Sequence, residues 1–282
     1  MNKLSKVVAL TLVAASAPAP AIVIRADVPD SKYRELGQTL KDTVARFSCT
    51  REDGTFIPGC GSGTLVAPQW VLTAGHNASI AEKNGATIDG VVYPAEAVYL
   101  HPDAGKGITR PGTDVALVKL ARPVEGGKPA CLYPARDEIG QVATIAGFGR
   151  TGTHLSGIER GDGILRAATA LIEEREVPSW SLYEREGESF ETVFRKPSDP
   201  HATPLEGSTA PGDSGGPVFL RFEGKLCVAG ITENGGGPGA AGRGNSRAGA
   251  AAPRVTEFRG GYGRVSSIRA WAMGVMNGKV AP

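Results

Sequence analysis

The 282-residue sequence reads as an all-β protein of short antiparallel strands followed by one C-terminal helix. Three observations predict that class. Glycine and proline are abundant, at 39 and 20 residues, which suits many strands joined by turns. Runs rich in β-branched and aromatic residues recur between Gly, Pro and Asp: "GTLVAPQWVLTA", "VVYPAEAVYL", "DVALVKL", "QVATIAGFG", "ILRAATALI", "GPVFLRF" and "LCVAGIT". No helical pattern alternates with them regularly, which argues against a doubly wound α/β sheet.

The chain opens with "MNKLSKVVALTLVAASAPAPAIVIR". Lys3 and Lys6, an apolar run from Val7 to about Ala17, and small residues after it have the layout of a secretory signal. The run is too short to cross a bilayer. Ala19-Pro20-Ala21 fits the small-x-small cleavage rule, which assigns residues 1–21 to the signal peptide and leaves Ile22 as the new N-terminus. Removing Lys3 and Lys6 leaves 29 basic residues against 29 acidic, so nothing favours nucleic acid as a partner. Export, to the periplasm or beyond the cell, permits disulfides, and the four cysteines are an even number. Cys49 and Cys60 close a short loop and are expected to pair, leaving Cys131 with Cys227.

Later segments are less regular. The charged stretch from Glu173 to Arg195 reads as a solvated surface insertion with some helix. Residues 235–250, "GGGPGAAGRGNSRAGA", read as a flexible loop with little to pack. The best helix is "VSSIRAWAMGVM": Ser266 or Ser267 can cap it, and Ile268, Trp271 and Val275 share one face.

Chemistry concentrates in "APGDSGGPVF", residues 210–219. Ser214 among glycines fits the G-x-S-x-G nucleophile pattern, and a hydroxyl needs a base to take its proton. The four histidines, His76, His101, His154 and His201, all precede Ser214. The α/β-hydrolase order places histidine after serine, so that fold is excluded. The order His, Asp, Ser remains. "WVLTAGHN" sets His76 at the end of an apolar strand, and "GTDVALVKL" sets Asp114 at the start of another. A carboxylate buried there needs hydrogen bonds, which a histidine N–H and backbone amides can supply.

Together these segments resemble the chymotrypsin/trypsin-like serine proteases. "TAGHN" is similar to that family's T-A-A-H-C, "TDVALVKL" to its D-I-A-L-L-x-L, and "GDSGGP" to its signature around the nucleophile. "CGSGTLVAPQWVLTAGH", "IAGFG" and "YGRVSSIRAWA" extend the likeness over most of residues 45–277. The resemblance implies two six-stranded antiparallel β-barrels with a C-terminal α-helix. Residues 22–150 would hold an N-terminal segment and the first barrel, 151–265 the second barrel, and 266–282 the helix and tail.

It also implies roles. Ser214 would be the nucleophile, His76 the general base and then acid, and Asp114 the group that fixes the imidazole tautomer. The backbone N–H groups of Gly212 and Ser214 would form the oxyanion hole. Asp213 would pair with a positive N-terminus freed by processing, and Ile22-Val23 resembles the family's I-V-G-G start without its glycines. In the other reading "AIVIR" is part of a pro-segment or an edge strand and Asp213 finds a different donor.

Departures are specific. Asn77 and Ala210 stand where the family has cysteines, and "ENG", Glu233 to Gly235, replaces S-W-G on the pocket wall. Ser208 falls at the pocket floor, with Gly235 on its wall, which points to an uncharged side-chain preference, although Glu206 lies close in sequence. His101, His154 and His201 read as solvated loop residues, and no metal site or cofactor is expected. The expected protein is a monomeric serine endopeptidase acting on polypeptides, with no nucleic-acid partner and no membrane attachment once the signal is removed. A weakly catalytic binding or scaffold protein and an esterase on the same triad are the alternatives.

Overall fold

The computed structural model describes residues 22–104, 112–159, 161–175, 188–236 and 257–280. Residues 1–21, expected above to be a signal peptide, residues 176–187 of the charged stretch, and residues 237–250 of the glycine-rich loop lie outside the described residues.

Two strand systems pack against each other. The first is a half-barrel of seven antiparallel strands in the order Val91–Tyr93, Ala86–Ile88, Val44–Thr50, Phe56–Ala67, Trp70–Ala74, Val115–Leu120 and Ala95–Leu100. Side chains alternate across a strand, and the half-barrel uses both faces. Val71 and Val118, opposite each other, join Phe47 and Leu65 inside it. The next pair, Leu72 and Leu117, points the other way into the interface between the two units.

The second is a closed barrel. Its six strands run Pro217–Phe222, Val142–Gly147, Arg166–Glu174, Ser189–Val193, Arg259–Arg264 and Lys225–Gly236, and the last pairs back with the first. Closure removes the open edges on which strands associate. Ile145, Ala168, Phe190, Val218 and Tyr262 fill the interior. Phe219, Val228 and Ile231 face out of it, meeting Leu72, Val115 and Leu117 of the half-barrel and Ile268, Ala272 and Val275 of the C-terminal helix. This mostly-β, two-unit architecture is the trypsin-like fold expected above.

Several expectations need correction. The strand Val142–Gly147 is a stave of the closed barrel, and Cys131–Leu132 pairs with Lys225–Gly236, so sheet membership changes between Leu120 and Cys131 and not at residue 150. Strand Ile22–Ile24 lies between Thr151–Thr153 and Gly207–Ser208, beside the second barrel and not the first. The ends of the charged stretch are barrel strands, since Ile172 to Glu174 pair with Phe190 to Thr192 and both Phe190 and Thr192 are buried. Gly235 and Gly236 also belong to a strand, paired with Gly260 and Arg259.

Two helices were not expected. Helix α1 (Asp30–Gln38) packs on Arg166–Glu174, with Tyr33 buried and its hydroxyl donating to the Glu206 carbonyl at 3.1 Å. Asp30 and Asp162 hold the buried Arg166 guanidinium, at 2.6 and 3.0 Å. Helix α2 (Ala78–Asn84) follows the histidine turn. The third helix, α3 (Val265–Met276), starts one residue before 266 and has no side-chain cap. Ser267 instead accepts a hydrogen bond from Arg136 at 2.7 Å. Ile268 and Val275 are buried and Trp271 partly so. Both expected disulfides are formed, with Cα separations of 5.9 Å for Cys49–Cys60 and 4.3 Å for Cys131–Cys227.

Candidate active site

Strands Trp70–Ala74 and Val115–Leu120 are antiparallel neighbours, with Ala74 opposite Val115. A residue just past the end of one therefore lies beside a residue just before the start of the other. That is how His76 and Asp114, 38 positions apart, meet. After Ala74 the chain makes one 3₁₀ turn, Gly75–Asn77, which swings the imidazole out of the sheet and leaves its side chain 46% exposed. Asp114 Oδ2 lies 2.5 Å from His76 Nδ1, and Oδ1 accepts the His76 backbone N–H at 2.9 Å. A carboxylate only accepts, so in this contact Nδ1 carries the hydrogen, which leaves Nε2 as the ring's acceptor.

The serine loop is held from both units. The Ser214 carbonyl accepts the Ser62 backbone N–H and Asn77 Nδ2, each at 2.8 Å. Asn77 also donates to Thr73 Oγ1 at 3.1 Å and is fully buried. The residue that stands in place of a cysteine thus bridges the histidine turn to the nucleophile segment by hydrogen bonds. Its signal in the sequence was a side-chain amide directly after His76, just past an apolar strand. Gly212 and Gly215 adopt φ of 95° and 81°, in the region that favours glycine. A Cβ at Gly215 would collide with Thr73 Oγ1, and one at Gly212 would come within 2.7 Å of the Gly59 carbonyl oxygen. A cavity of about 800 Å³ opens beside Gly212, and Pro58, Arg150 and Pro211 are among the residues lining it.

Asp213 is wholly buried. Its oxygens accept the N–H groups of Gly149 at 2.9 Å and Ala210 at 2.8 Å, and the Ile22 amide serves it as well. Burial pushes its carboxyl up to about 7 in spite of those donors and the more distant Arg166 charge. Ile22–Ile24 thus forms a strand with a neighbour on each side instead of an edge strand, and the backbone amide of its first residue serves Asp213.

Ser208 is buried opposite Val23, and its hydroxyl has no hydrogen-bond partner among the described residues. Gly235 sits across from Gly260 on the neighbouring strand. Glu206 is not a pocket acid. Its carboxylate accepts the Thr203 N–H and hydroxyl and the Arg195 N–H, and burial raises its pKa. The remaining histidines make contacts of other kinds. His154 stacks on Phe194 and accepts the Ala26 N–H, so it is less solvated than expected. His101 sets its ring edge-on to Trp271, and the His201 backbone N–H bonds to Asp199.

A trypsin family model matches residues 46–259, three quarters of the chain. The chain belongs to the trypsin family. It is similar to proproteinase E from Bos taurus, at 30% identity over 199 residues, covering 64% of this chain and 74% of the relative. Chymotrypsin-like elastase family member 3A from Homo sapiens is 33% identical over 120 residues, covering 36% and 44%. Serine protease SSP1 from Scolopendra subspinipes is 30% identical over 189 residues, covering 58% and 59%. Two of these three relatives are thus matched over less than two thirds of their own length. Among the described residues no helix of this family member is long and apolar enough to cross a membrane.

Proposed function

We propose that this trypsin-family protein is an exported serine endopeptidase that works through Ser214, His76 and Asp114. The observation that carries the reading is the His76–Asp114 pair, seated one residue from an asparagine that grips the Ser214 carbonyl. Ser214 Oγ attacks the scissile carbonyl carbon while His76 Nε2 takes its proton, and Asp114 holds the resulting imidazolium. The N–H groups of Gly212 and Ser214 meet the oxyanion, each such donor lowering the barrier by about 3 kcal/mol. His76 then protonates the leaving amine as the C–N bond breaks, and water repeats the cycle on the acyl-enzyme. The unpartnered Ser208 hydroxyl and the strand at Gly235 would line an uncharged primary pocket.

Processing before Ile22 completes the reading. Ile22 has φ of 64°, a conformation that a β-branched residue rarely adopts and that costs of order 1–3 kcal/mol. Cutting the preceding peptide bond releases that torsion and turns an amide already aimed at Asp213 into an ammonium. The two disulfides fit an oxidising compartment, secreted or periplasmic.

A fluorophosphonate probe tests the proposal. Mature protein should be labelled at Ser214, and His76→Ala should abolish labelling. Absence of labelling in folded, processed protein would favour a binding or scaffold role. Labelling with ester turnover but no peptide cleavage would favour an esterase.

A further inference from the structure

The wall residue Glu233 has no place in the chemistry above, yet it stands behind the triad. Its Oε1 accepts the Gly112 N–H at 2.6 Å, and its carboxyl group also takes the Asp114 backbone N–H. Room for it exists because residue 263 is glycine: a Cβ there would lie 2.6 Å from Oε1. The residue before it is tied to the serine loop, Gly215 N–H donating to the Thr232 carbonyl at 2.7 Å and Thr232 N–H to the Gly216 carbonyl at 2.8 Å. One strand therefore reaches the nucleophile through its backbone and the catalytic carboxylate's loop through a side chain.

We infer that Glu233 is a positioning residue for Asp114: its carboxyl group anchors the turn from which Asp114 reaches His76. The inference rests on the triad reading above. Charged groups surround it on several elements: Asp114 ahead of Val115–Leu120 with His76 beyond it, Arg175 after Arg166–Glu174, and Glu188, whose backbone and Cβ pack on Gly112 ahead of Ser189–Val193. Loss of water around the carboxyl pushes it up to about 8, the Asp114 charge adding to this while the amide donors and Arg175 oppose it. At neutral pH the group is then a neutral acid, able to share a site with Asp114 without repulsion. Once ionised, it still accepts the two amides but sets a second negative charge beside Asp114, and that repulsion works against the anchor. Its folded pKa lies above its unfolded one, so its stabilising contribution is full below about pH 4.5 and is lost as pH rises through about 8.

The experiment compares wild type, Glu233→Gln and Glu233→Ala as processed full chains, reading kcat and KM against pH and the downfield proton resonance of His76 Nδ1–H. Glu233→Ala should lower kcat by about 10- to 100-fold with KM nearly unchanged, and should shift or broaden that resonance. Glu233→Gln keeps an acceptor but cannot ionise. It should stay within about 3-fold of wild-type kcat at pH 7 and lack the fall that wild type undergoes through about pH 8. Wild-type kcat and an unshifted resonance in Glu233→Ala would overturn the inference, as would a wild-type alkaline fall in Glu233→Gln. If Glu233→Ala fails to fold, the Glu233→Gln profile decides. Should wild type prove inactive, the triad reading fails, while the resonance in wild type and Glu233→Ala still reports whether Glu233 sets the His76–Asp114 contact.

Discussion

Asp114 keeps 11% of its side chain exposed and gives both oxygens to His76, whereas Asp213 is wholly buried and receives only backbone amides from Gly149, Ala210 and Ile22. The two acids answer desolvation differently. Asp114 faces the His76 ring, which in the proposed mechanism becomes a cation and answers its charge at that step. Asp213 has dipoles in place of a contacting cation, and dipoles alone leave it near pH 7. The difference teaches that a buried acid can serve to steady an imidazole or to hold a loop, and that the partner decides which.

The largest test of that contrast is Asp114→Asn. The fold should survive, but His76 would settle in the wrong tautomer and kcat on a peptide substrate should fall by about 10⁴-fold. Retained turnover would erase the distinction between the two acids. Asp213→Asn should cost the processed protein about 10²- to 10³-fold in kcat through a misaligned oxyanion loop, with KM less affected. Its signature in the chain still continuous at Ile22 is a stability profile. A carboxyl raised to about 7 stabilises fully below about pH 4 and loses that contribution as pH climbs through 7, of order 4 kcal/mol at most. Denaturant unfolding between those values should show the loss in the parent and not in Asp213→Asn, and processing should remove it from the parent.

Much of this was legible before any coordinates. "TAGH", "TDVALVKL" and "GDSGGP" each couple a reactive residue to an apolar strand or a glycine turn, so local sequence carries both the chemistry and the frame around it. What stayed hidden depends on contacts between distant segments. The helix Asp30–Gln38 carries a glycine and few apolar residues, and it exists because Tyr33 and Gly37 pack against the second barrel. Asn77 looked like the loss of a cysteine because its partners, Thr73 and Ser214, could not be paired from spacing alone. Glu233 read as a divergence on a pocket wall, since nothing linear connects it with Gly112.

Two smaller effects sharpen the contrast. Arg166→Met should leave Asp30 and Asp162 without their shared cation and lower stability by about 3 kcal/mol in thermal or denaturant unfolding, with turnover per folded molecule less affected. Asn77→Ala should cost about 1–2 kcal/mol and reduce kcat by about 10-fold or less, since the Ser62 N–H still holds the Ser214 carbonyl.

The path of the first described residues has a mechanical consequence. Ile22–Ile24 is built into the sheet beside the closed barrel, α1 crosses that barrel's strand Arg166–Glu174, and only at Val44 does the chain enter the half-barrel. One continuous strap thus runs from the Asp213 contact to the opposite unit. Any swelling that parts the two units tugs on the same cord whose tip sits under the serine. Heating should silence the proposed activity at that first loosening, while both strand systems are still intact.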